Sequence, residues 1–118
     1  MVQYGFYYDN SRCTGCKTCV MACKDYKDSA LDVAYRKVYD LEGGTWEKQA
    51  DDIYTTDCLF YHLSMACNHC DDPACVSVCP TTAMHKEGKR GLVLVDETKC
   101  VGCGYCVMAC PYNCLLYT

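Results

Sequence analysis

The chain has 118 residues, with 15 acidic against 11 basic side chains and a formal net charge of −4 at pH 7. This balance argues against a nucleic-acid-binding surface, which needs a basic patch. No apolar run reaches the length of a membrane-spanning helix, and the segment from Met1 to Phe6 lacks the charged and apolar regions of a signal peptide. We therefore expect one domain, without a membrane span or an export signal of its own.

Cysteine dominates the composition, with 14 copies. This density would indicate a disulfide scaffold in a small secreted protein, but the missing signal segment argues against that interpretation. Most of the cysteines stand in three groups of four: Cys13, Cys16, Cys19, Cys23; Cys67, Cys70, Cys75, Cys79; and Cys100, Cys103, Cys106, Cys110. The first and third groups read C-x2-C-x2-C-x3-C, and the second reads C-x2-C-x4-C-x3-C. Such runs are typical of the ligands of bacterial-type [4Fe–4S] clusters, which transfer electrons.

Short strands are predicted before the cysteine groups. Gln3 to Tyr8 precedes the first group and Gly91 to Val95 precedes the third, while the aromatic and β-branched stretch from Tyr54 to Leu63 leads into the second. Short helical turns are expected after the third cysteine of a group, at Val20 to Cys23 and at Val107 to Cys110. The alternation indicates small units that combine strand and helix.

Residues 28–57 form an insert between the first two groups. Val33 to Tyr39 alternates as a strand does, and Gly43-Gly44 marks a turn before Trp46. We therefore predict a β-hairpin packed on the cluster core. The single domain, residues 1–118, then divides into the first cysteine group (1–27), the hairpin insert (28–57) and a paired-cluster ferredoxin unit (58–118). The predicted fold is α+β and ferredoxin-like, of the bacterial 2[4Fe–4S] type.

An internal repeat relates the first group to the third. Residues 9–23 recur as residues 96–110, with the four cysteines, one glycine, the leading aspartate and a Val-Met-Ala triplet in common. Such a repeat indicates duplication of one structural unit. Gly15 and Gly102 lie inside the two loops, where the missing Cβ permits a positive φ and a close approach to a cluster.

The fourth cysteine of each run serves the neighbouring cluster in two-cluster ferredoxins. That pairing assigns one cluster to Cys67, Cys70, Cys75 and Cys110, and a second cluster to Cys100, Cys103, Cys106 and Cys79. Pro80 and Pro111 follow the two exchanged ligands and would fix the turns after them. Because this exchange of ligands works between pairs of groups, the first group is left without a partner. A third cluster at Cys13, Cys16 and Cys19 would be incomplete, and Cys23 would ligate a cluster that needs an absent cysteine group.

Other interpretations of the cysteines remain open. Zinc also binds four thiolates, although zinc sites usually draw them from two separated pairs, so a structural cysteine-rich zinc module is the rival from another functional class. Cys58 is expected to be a small buried hydrophobe, and Cys114 is a candidate for an improvised ligand. His69, between two ligands, is expected to support the site from outside the ligand set or to lie at the surface, and His62 and His85 carry no signal.

The chain resembles the iron–sulfur B subunit of the dimethyl sulfoxide reductase family of molybdopterin oxidoreductases. The resemblance covers essentially all of the chain and is carried by residues 3–6, 12–19, 22–28, 67–75, 83–86 and 109–112. It implies a double ferredoxin that relays electrons between a quinol-linked membrane anchor subunit and a molybdopterin catalytic subunit, without substrate chemistry of its own. It also implies assembly in the cytoplasm and membrane association through partners, with export alongside the catalytic subunit as an alternative. A free ferredoxin is the second rival.

One departure from this family concerns the end of the chain. Family members carry a fourth cysteine group that pairs with the first, whereas this sequence ends at Thr118. Three explanations are open: a truncated chain; a first cluster with three ligands or completed locally by Cys114 or Cys58; or a homodimer in which each Cys23 ligates the cluster of the other chain. We therefore expect two [4Fe–4S] clusters and leave a third open.

Overall fold

The computed structural model describes residues 2–115, and the predicted domain limits at residues 1 and 118 lie outside them. The structure mixes helices and strands as the sequence predicts, although their order and bounds differ. In chain order the elements are α1 (Thr18–Lys27), β1 (Lys37–Gly43), β2 (Trp46–Lys48), β3 (Tyr54–Thr56), β4 (Leu59–Met65), α2 (Ala74–Ser77), β5 (Met84–Lys86), β6 (Val93–Val95) and α3 (Tyr105–Ala109). The strands form three antiparallel two-stranded sheets, β1–β4, β2–β3 and β5–β6.

The insert is a long hairpin, here called the β-ribbon (residues 37–65). Strand β1 pairs with β4 from Lys37 opposite Met65 to Gly43 opposite Leu59. Strands β2 and β3 continue the ribbon outward, and the chain reverses over residues 49–53. A hairpin between the first two cysteine groups therefore exists, but it begins and ends later than the predicted residues 28–57.

The predicted turn at Gly43-Gly44 is wrong. Gly44 has a φ of +101° and lies where the ribbon breaks between its two strand pairs. A Cβ on this residue would stand 2.8 Å from the carbonyl oxygen of Asp57, which lies between β3 and β4 on the opposite side of the ribbon. The glycine thus permits a close approach of two strands, not a reversal of the chain. The same break divides the predicted strand from Tyr54 to Leu63 into β3 and β4.

The outer ribbon projects into solvent and does not pack on the cluster core, contrary to the prediction. Every residue from 39 to 61 is exposed. The radius of gyration is 19.2 Å and the molecule measures 67 × 31 × 28 Å, whereas a compact domain of this length would have a radius of gyration of about 13 Å. The ribbon contacts the remainder only near its base, so its outer half adds little buried apolar surface.

The hydrophobic core is small and centred on β5 and β6. Among the described residues, the buried apolar side chains are Ala83, Met84 and Val93. So small a core agrees with the view that bound clusters supply much of the stability that apolar burial supplies elsewhere, which stays a prediction.

The predicted strand from Gln3 to Tyr8 is absent from residues 2–9, all of which the structure describes. This segment instead passes the connection between β5 and β6. The Tyr4 N–H donates to the Arg90 carbonyl at 3.2 Å, and the Gln3 amide donates to the Gly91 carbonyl at 3.2 Å. Alternating aromatic residues favoured a strand, but these contacts do not build the repeated ladder that a strand requires.

Candidate metal centre

Two copies of one loop precede the first and third cysteine groups. The Asp9 carboxylate accepts hydrogen bonds from the Ser11 N–H at 3.0 Å and the Ser11 hydroxyl at 2.6 Å. The Asp96 carboxylate accepts the equivalent bonds from Thr98 at 3.1 and 2.6 Å. These Asx turns fix the backbone that leads into the first ligand of each group. The repeat seen in the sequence is therefore also a repeat in local structure.

A basic residue flanks each of these turns. Lys99 Nζ stands 3.1 Å from the Asp96 carboxylate, and Arg12 Nε stands 3.7 Å from that of Asp9. The pKa of Asp96 is lowered, first by the Thr98 hydroxyl and then by Lys99. The turn at the third group is thus held by an ionised carboxylate across the neutral pH range.

Positive φ angles recur at one position in all three groups, the residue before the second cysteine. Gly15 and Gly102 both have a φ of +69°, and His69 occupies the matching position of the second group with a φ of +46°. This conformation turns the chain so that two cysteines with two residues between them can face a common centre. The prediction that the two glycines adopt positive φ is confirmed.

His69 links the second cysteine loop to the core. Its Nδ1 accepts a hydrogen bond from the Val93 N–H at 3.0 Å, so the neutral ring carries its proton on Nε2. Its carbonyl accepts a bond from the Gln3 amide at 3.1 Å. The interpretation of His69 as a residue outside the ligand set is consistent with these bonds, because one ring nitrogen is already engaged.

The third cysteine group meets the second, although Cys110 stands 35 residues after Cys75 in the sequence. Cys75 lies on α2, which packs against α3. Burial raises the pKa of the Cys75 thiol, and the nearby thiols of Cys67 and Cys110 raise it further. Beyond Cys110 the chain stays beside the second group, because the Cys114 thiol donates to the carbonyl of Ala66, the residue before Cys67, at 3.2 Å. The fold therefore brings Cys110 from the third group to Cys67 and Cys75 of the second.

The two Cys-Pro turns have matching geometry. The Thr82 N–H donates to the Cys79 carbonyl at 3.4 Å and the Asn113 N–H donates to the Cys110 carbonyl at 3.3 Å. Thr82 and Asn113 have φ angles of +53° and +52°. This duplication places the fourth cysteines of the second and third groups in equivalent local settings.

Backbone N–H groups also point at cysteine sulfur. The Met84 N–H lies 3.4 Å from Cys79 Sγ. This hydrogen bond is the largest cause of the lowered pKa of the Cys79 thiol. Because a hydrogen bond to sulfur favours the ionised form, Cys79 is suited to act as a thiolate ligand.

Two family models match the chain. Residues 58–118 match the model described as "4Fe-4S dicluster domain", which covers more than half of the sequence, and residues 4–25 match the model described as "4Fe-4S binding domain". The chain belongs to the 4Fe-4S dicluster domain family. The prediction of [4Fe–4S] cofactors is thereby confirmed, as is the ferredoxin-like character of the fold. The presence of both helices and strands in the structure agrees with the predicted α+β class.

Several curated relatives of this chain are named as subunits of reductases. The chain is 56% identical over 113 residues to the B subunit of anaerobic dimethyl sulfoxide reductase from Haemophilus influenzae, covering 96% of this chain and 55% of the relative. It is 54% identical over 111 residues to the B subunit of the Escherichia coli K12 enzyme of the same name, covering 94% and 53%. The thiosulfate reductase electron transfer subunit of Salmonella typhi is 37% identical over 116 residues, covering 94% and 54%. The predicted resemblance is confirmed, and the chain spans about half the length of these relatives.

The residues of the dicluster domain fit its cofactors chemically. Its donors are thiols, and those of Cys67 and Cys110 are both near enough to the Cys75 thiol to raise its pKa. The Gly102 loop leaves open space where a Cβ would stand, since no atom outside its chain neighbours lies within 4 Å. Within residues 2–115 no three His, Cys, Asp or Glu side chains form a group suited to a single metal ion. Cluster ligands bind different irons and stand further apart than the ligands of one ion.

The first cysteine group lies under the base of the β-ribbon. Cys19 Sγ is 3.4 Å from Ser64 Oγ, and the Ser64 hydroxyl accepts a bond from Arg36 Nη1 at 2.9 Å. Arg36 can only donate, so the Ser64 proton remains available for the sulfur. The Arg36 guanidinium also stacks 4.4 Å from the Phe6 ring centroid.

Tyr8 and His62 complete the surroundings of this group. The Tyr8 hydroxyl donates to the His62 carbonyl at 2.7 Å, and a hydrogen bond with the Cys13 thiol is the largest cause of its raised pKa. The His62 ring lies directly over Gly15, where a Cβ would stand 2.6 Å from Nδ1. His62 Nδ1 is also 2.8 Å from the Asp40 carboxylate. His62 and Ser64 alternate along β4 on the face that covers the loop, which strand periodicity could have indicated.

Two expectations about the remaining cysteines need correction. Cys58 is exposed, not buried, and its thiol accepts a bond from the Thr56 hydroxyl at 2.6 Å. It lies four residues further out along the chain than His62, about 13 Å away in an extended strand, so it is poorly placed to complete the first group.

Cys114 lies beside the second group and not beside the first. Its thiol donates to the Ala66 carbonyl at 3.2 Å. Its pKa is raised to about 11, first by burial and then by the neighbouring thiols of Cys110, Cys67 and Cys70. A protonated thiol that donates to a carbonyl is a poor candidate for completing a cluster at Cys13, Cys16 and Cys19.

Lys86 is a residue of the site that sequence reasoning missed. Its ammonium donates to the carbonyls of Cys70 at 2.8 Å and Asp71 at 2.9 Å, and it lies 3.2 Å from the Asp71 carboxylate. Only 15% of its side chain is exposed. A lysine in a three-residue strand carries no special pattern, so only the fold reveals that it reaches the second cysteine loop.

Proposed function

We propose that this chain is the one-electron relay of a dimethyl sulfoxide reductase-type complex and carries out no substrate chemistry by itself. It would pass electrons between a quinol-linked membrane anchor subunit and a molybdopterin catalytic subunit. The proposal rests on the 54–56% identity to B subunits of anaerobic dimethyl sulfoxide reductases over nearly the whole of this chain and on the cluster-binding family to which it belongs.

The ligand sets of two clusters follow the interleaved pairing. Cys67, Cys70, Cys75 and Cys110 would hold one cluster, and Cys100, Cys103, Cys106 and Cys79 would hold the other. The observation that supports this assignment is the packing of α2, which carries Cys75, against α3, which ends directly before Cys110. Each cluster would supply reversible one-electron chemistry, while the chain's own residues set the spacing and donate hydrogen bonds to the ligands.

The first cysteine group is proposed as a site that this sequence alone does not complete. Cys13, Cys16 and Cys19 share the loop conformation of the third group, but the two remaining candidates, Cys58 and Cys114, lie elsewhere and are bonded to Thr56 and Ala66. A hydroxyl nevertheless supports ligation by this group. Thr18 Oγ1 lies 3.2 Å from Cys16 Sγ, and its hydrogen bond lowers the pKa of that thiol. A fourth ligand would come from a further cysteine group or from Cys23 of a second copy of the chain.

The partners would determine where the protein resides. None of the described helices is long and apolar enough to cross a membrane. Attachment through an anchor subunit would hold the relay at the membrane, after insertion of the clusters in the reducing cytoplasm. Export together with the catalytic subunit remains an alternative that fractionation of the assembled complex would separate.

Iron analysis of anaerobically purified protein tests the relay. We expect about eight irons and eight sulfides per chain, a brown colour, and visible absorption that dithionite bleaches and mild oxidation restores. About twelve irons would mean that the first group is loaded as well. A colourless protein with stoichiometric zinc would overturn the proposal in favour of a structural module.

Co-expression with the corresponding catalytic and anchor subunits tests the complex. Purification through a tag on this chain should recover molybdenum together with the irons, and added quinol should bleach the clusters. A double substitution, Cys67→Ser with Cys75→Ser, is the matched control, because it should abolish quinol-dependent bleaching of the cluster it affects. A chain that retains its clusters but recovers no molybdenum would be a free ferredoxin.

A further inference from the structure

We propose that the positive charge of Lys86 raises the reduction potential of one cluster of the pair above that of the other. The affected cluster is the one held by Cys67, Cys70, Cys75 and Cys110. This inference rests on the proposed cluster assignment. It makes the two members of the pair unequal and gives electron flow between them a preferred direction. The charge of the lysine carries the effect, and no change in its protonation is required.

The position of the ammonium is defined by three acceptors. Lys86 Nζ is bonded to the Cys70 carbonyl at 2.8 Å and to the Asp71 carbonyl at 2.9 Å. The carbonyl oxygen and the sulfur of a cysteine are only a few covalent bonds apart, so the positive charge stands close to a ligand of this cluster. Three donors meeting three acceptors leave the ammonium little freedom to move away.

Burial makes this charge effective. The Lys86 side chain is 15% exposed, whereas the Asp71 carboxylate, which lies 3.2 Å from it, is 89% exposed. Water screens the exposed carboxylate more strongly than the buried ammonium, so the cluster experiences a net positive field. Reduction adds one negative charge to a cluster, and a fixed positive charge nearby stabilises that state.

The second cluster of the pair has a different electrostatic neighbour. Lys99 precedes its ligand Cys100, but the Lys99 side chain is 59% exposed and forms an ion pair with Asp96 at 3.1 Å. Its charge is both screened and compensated. Lys99 is therefore the matched control for Lys86, because it is a lysine directly before a cluster ligand whose side chain is largely exposed.

An EPR-monitored redox titration of the cluster-loaded protein tests the inference. The wild type should show two one-electron steps. Lys86→Gln, which keeps a hydrogen-bond donor but removes the charge, should lower one step by about a tenfold change in its equilibrium constant, equivalent to about 59 mV for one electron. Lys86→Arg should restore most of the potential, and Lys99→Gln should leave both steps in place.

The outcomes separate this inference from the proposed function. A wild-type protein without two reversible clusters refutes the function itself. Two intact clusters with unchanged potentials in Lys86→Gln, or with both steps shifted equally, overturn the role of Lys86 alone. Raising the salt concentration to about 0.5 M should leave the Lys86 effect largely unchanged, because the charge is buried.

A second variant keeps the inference testable if Lys86→Gln fails to retain iron. Asp71→Asn changes an exposed side chain and removes the negative charge that partly compensates Lys86. The same redox step should then rise, while Asp72→Asn, at the neighbouring exposed position, should raise it less. An unchanged or lowered step in Asp71→Asn would contradict the electrostatic account.

Discussion

The two copies of the repeated loop, residues 9–23 and 96–110, have the same local structure and different surroundings. Gly15 and Gly102 share a φ of +69°, and an Asx turn opens each copy. Yet Gly15 lies beneath the His62 ring, whereas Gly102 faces open space. Local sequence therefore determines the conformation of a ligand loop, while residues from the distant β-ribbon determine what covers it.

The fourth cysteines of the two copies should differ most. Cys110→Ser should remove one cluster, about four of eight irons, because Cys110 is placed among the thiols of the second group. Cys23→Ser, at the matching position of the first copy, should leave the iron content of this 118-residue chain unchanged. Iron and sulfide analysis after anaerobic purification measures both. Equal losses would mean that the two groups are loaded alike.

The two glycines provide the next comparison. Alanine at either position must adopt positive φ, at a shared cost of about 1–2 kcal/mol. Gly15→Ala should destabilise by about 1–3 kcal/mol more, because its Cβ would overlap the His62 ring, which Asp40 holds in place. Urea unfolding followed by circular dichroism, which does not require a cluster in the first group, measures the difference.

A double variant shows whether His62 is the cause of that difference. His62→Ala combined with Gly15→Ala should bring the effect of the alanine close to that of Gly102→Ala. The single variant His62→Ala corrects for the loss of the ring itself. If the single variants Gly15→Ala and Gly102→Ala were equally destabilising, the His62 ring over the first loop would not influence the effect of the added Cβ.

The leading aspartates should show a smaller effect. Asp9→Ala and Asp96→Ala should both destabilise the chain by removing the Asx turn, and asparagine should largely preserve that turn. Asp96→Asn should still lose more stability than Asp9→Asn, because the Asp96–Lys99 ion pair is shorter, at 3.1 Å, than the Asp9–Arg12 ion pair, at 3.7 Å. Urea unfolding of the four variants measures this order, and an identical loss for both asparagine variants would contradict it.

The pH dependence of the Asp96 effect follows from its lowered pKa. A carboxylate with a depressed pKa in the folded state stabilises the protein fully above its ordinary pKa, about 4, and loses this stabilisation as the pH falls through the folded-state value. The difference between wild type and Asp96→Asn should thus be constant from about pH 8 to about pH 5. A difference that disappeared at about pH 6 would require another titrating group.

The sequence predicted the cofactor class and the conformation of the ligand loops better than the surroundings of those loops. Cysteine spacing identified the cofactor class, and the repeat predicted positive φ at Gly15 and Gly102, because both depend on neighbouring residues alone. The ribbon was misplaced because Gly43-Gly44 has the composition of a turn, while its role of letting Asp57 approach depends on the opposite strand. Lys86 could not be predicted either, since its acceptors lie 15 and 16 residues away.

Shortening the ribbon should have the smallest effect on the clusters. Replacing residues 44–58 by Asn-Gly would join Gly43 to Leu59, which already face each other, through a two-residue turn that suits a hairpin. His62 and Ser64 would keep their places over the first loop. We expect a smaller hydrodynamic radius with unchanged iron content and urea resistance, because the removed residues are all exposed. Loss of iron would show that the outer ribbon, and not only its base, shapes the first cysteine group, and the contrast between the two loops would then extend to the whole insert.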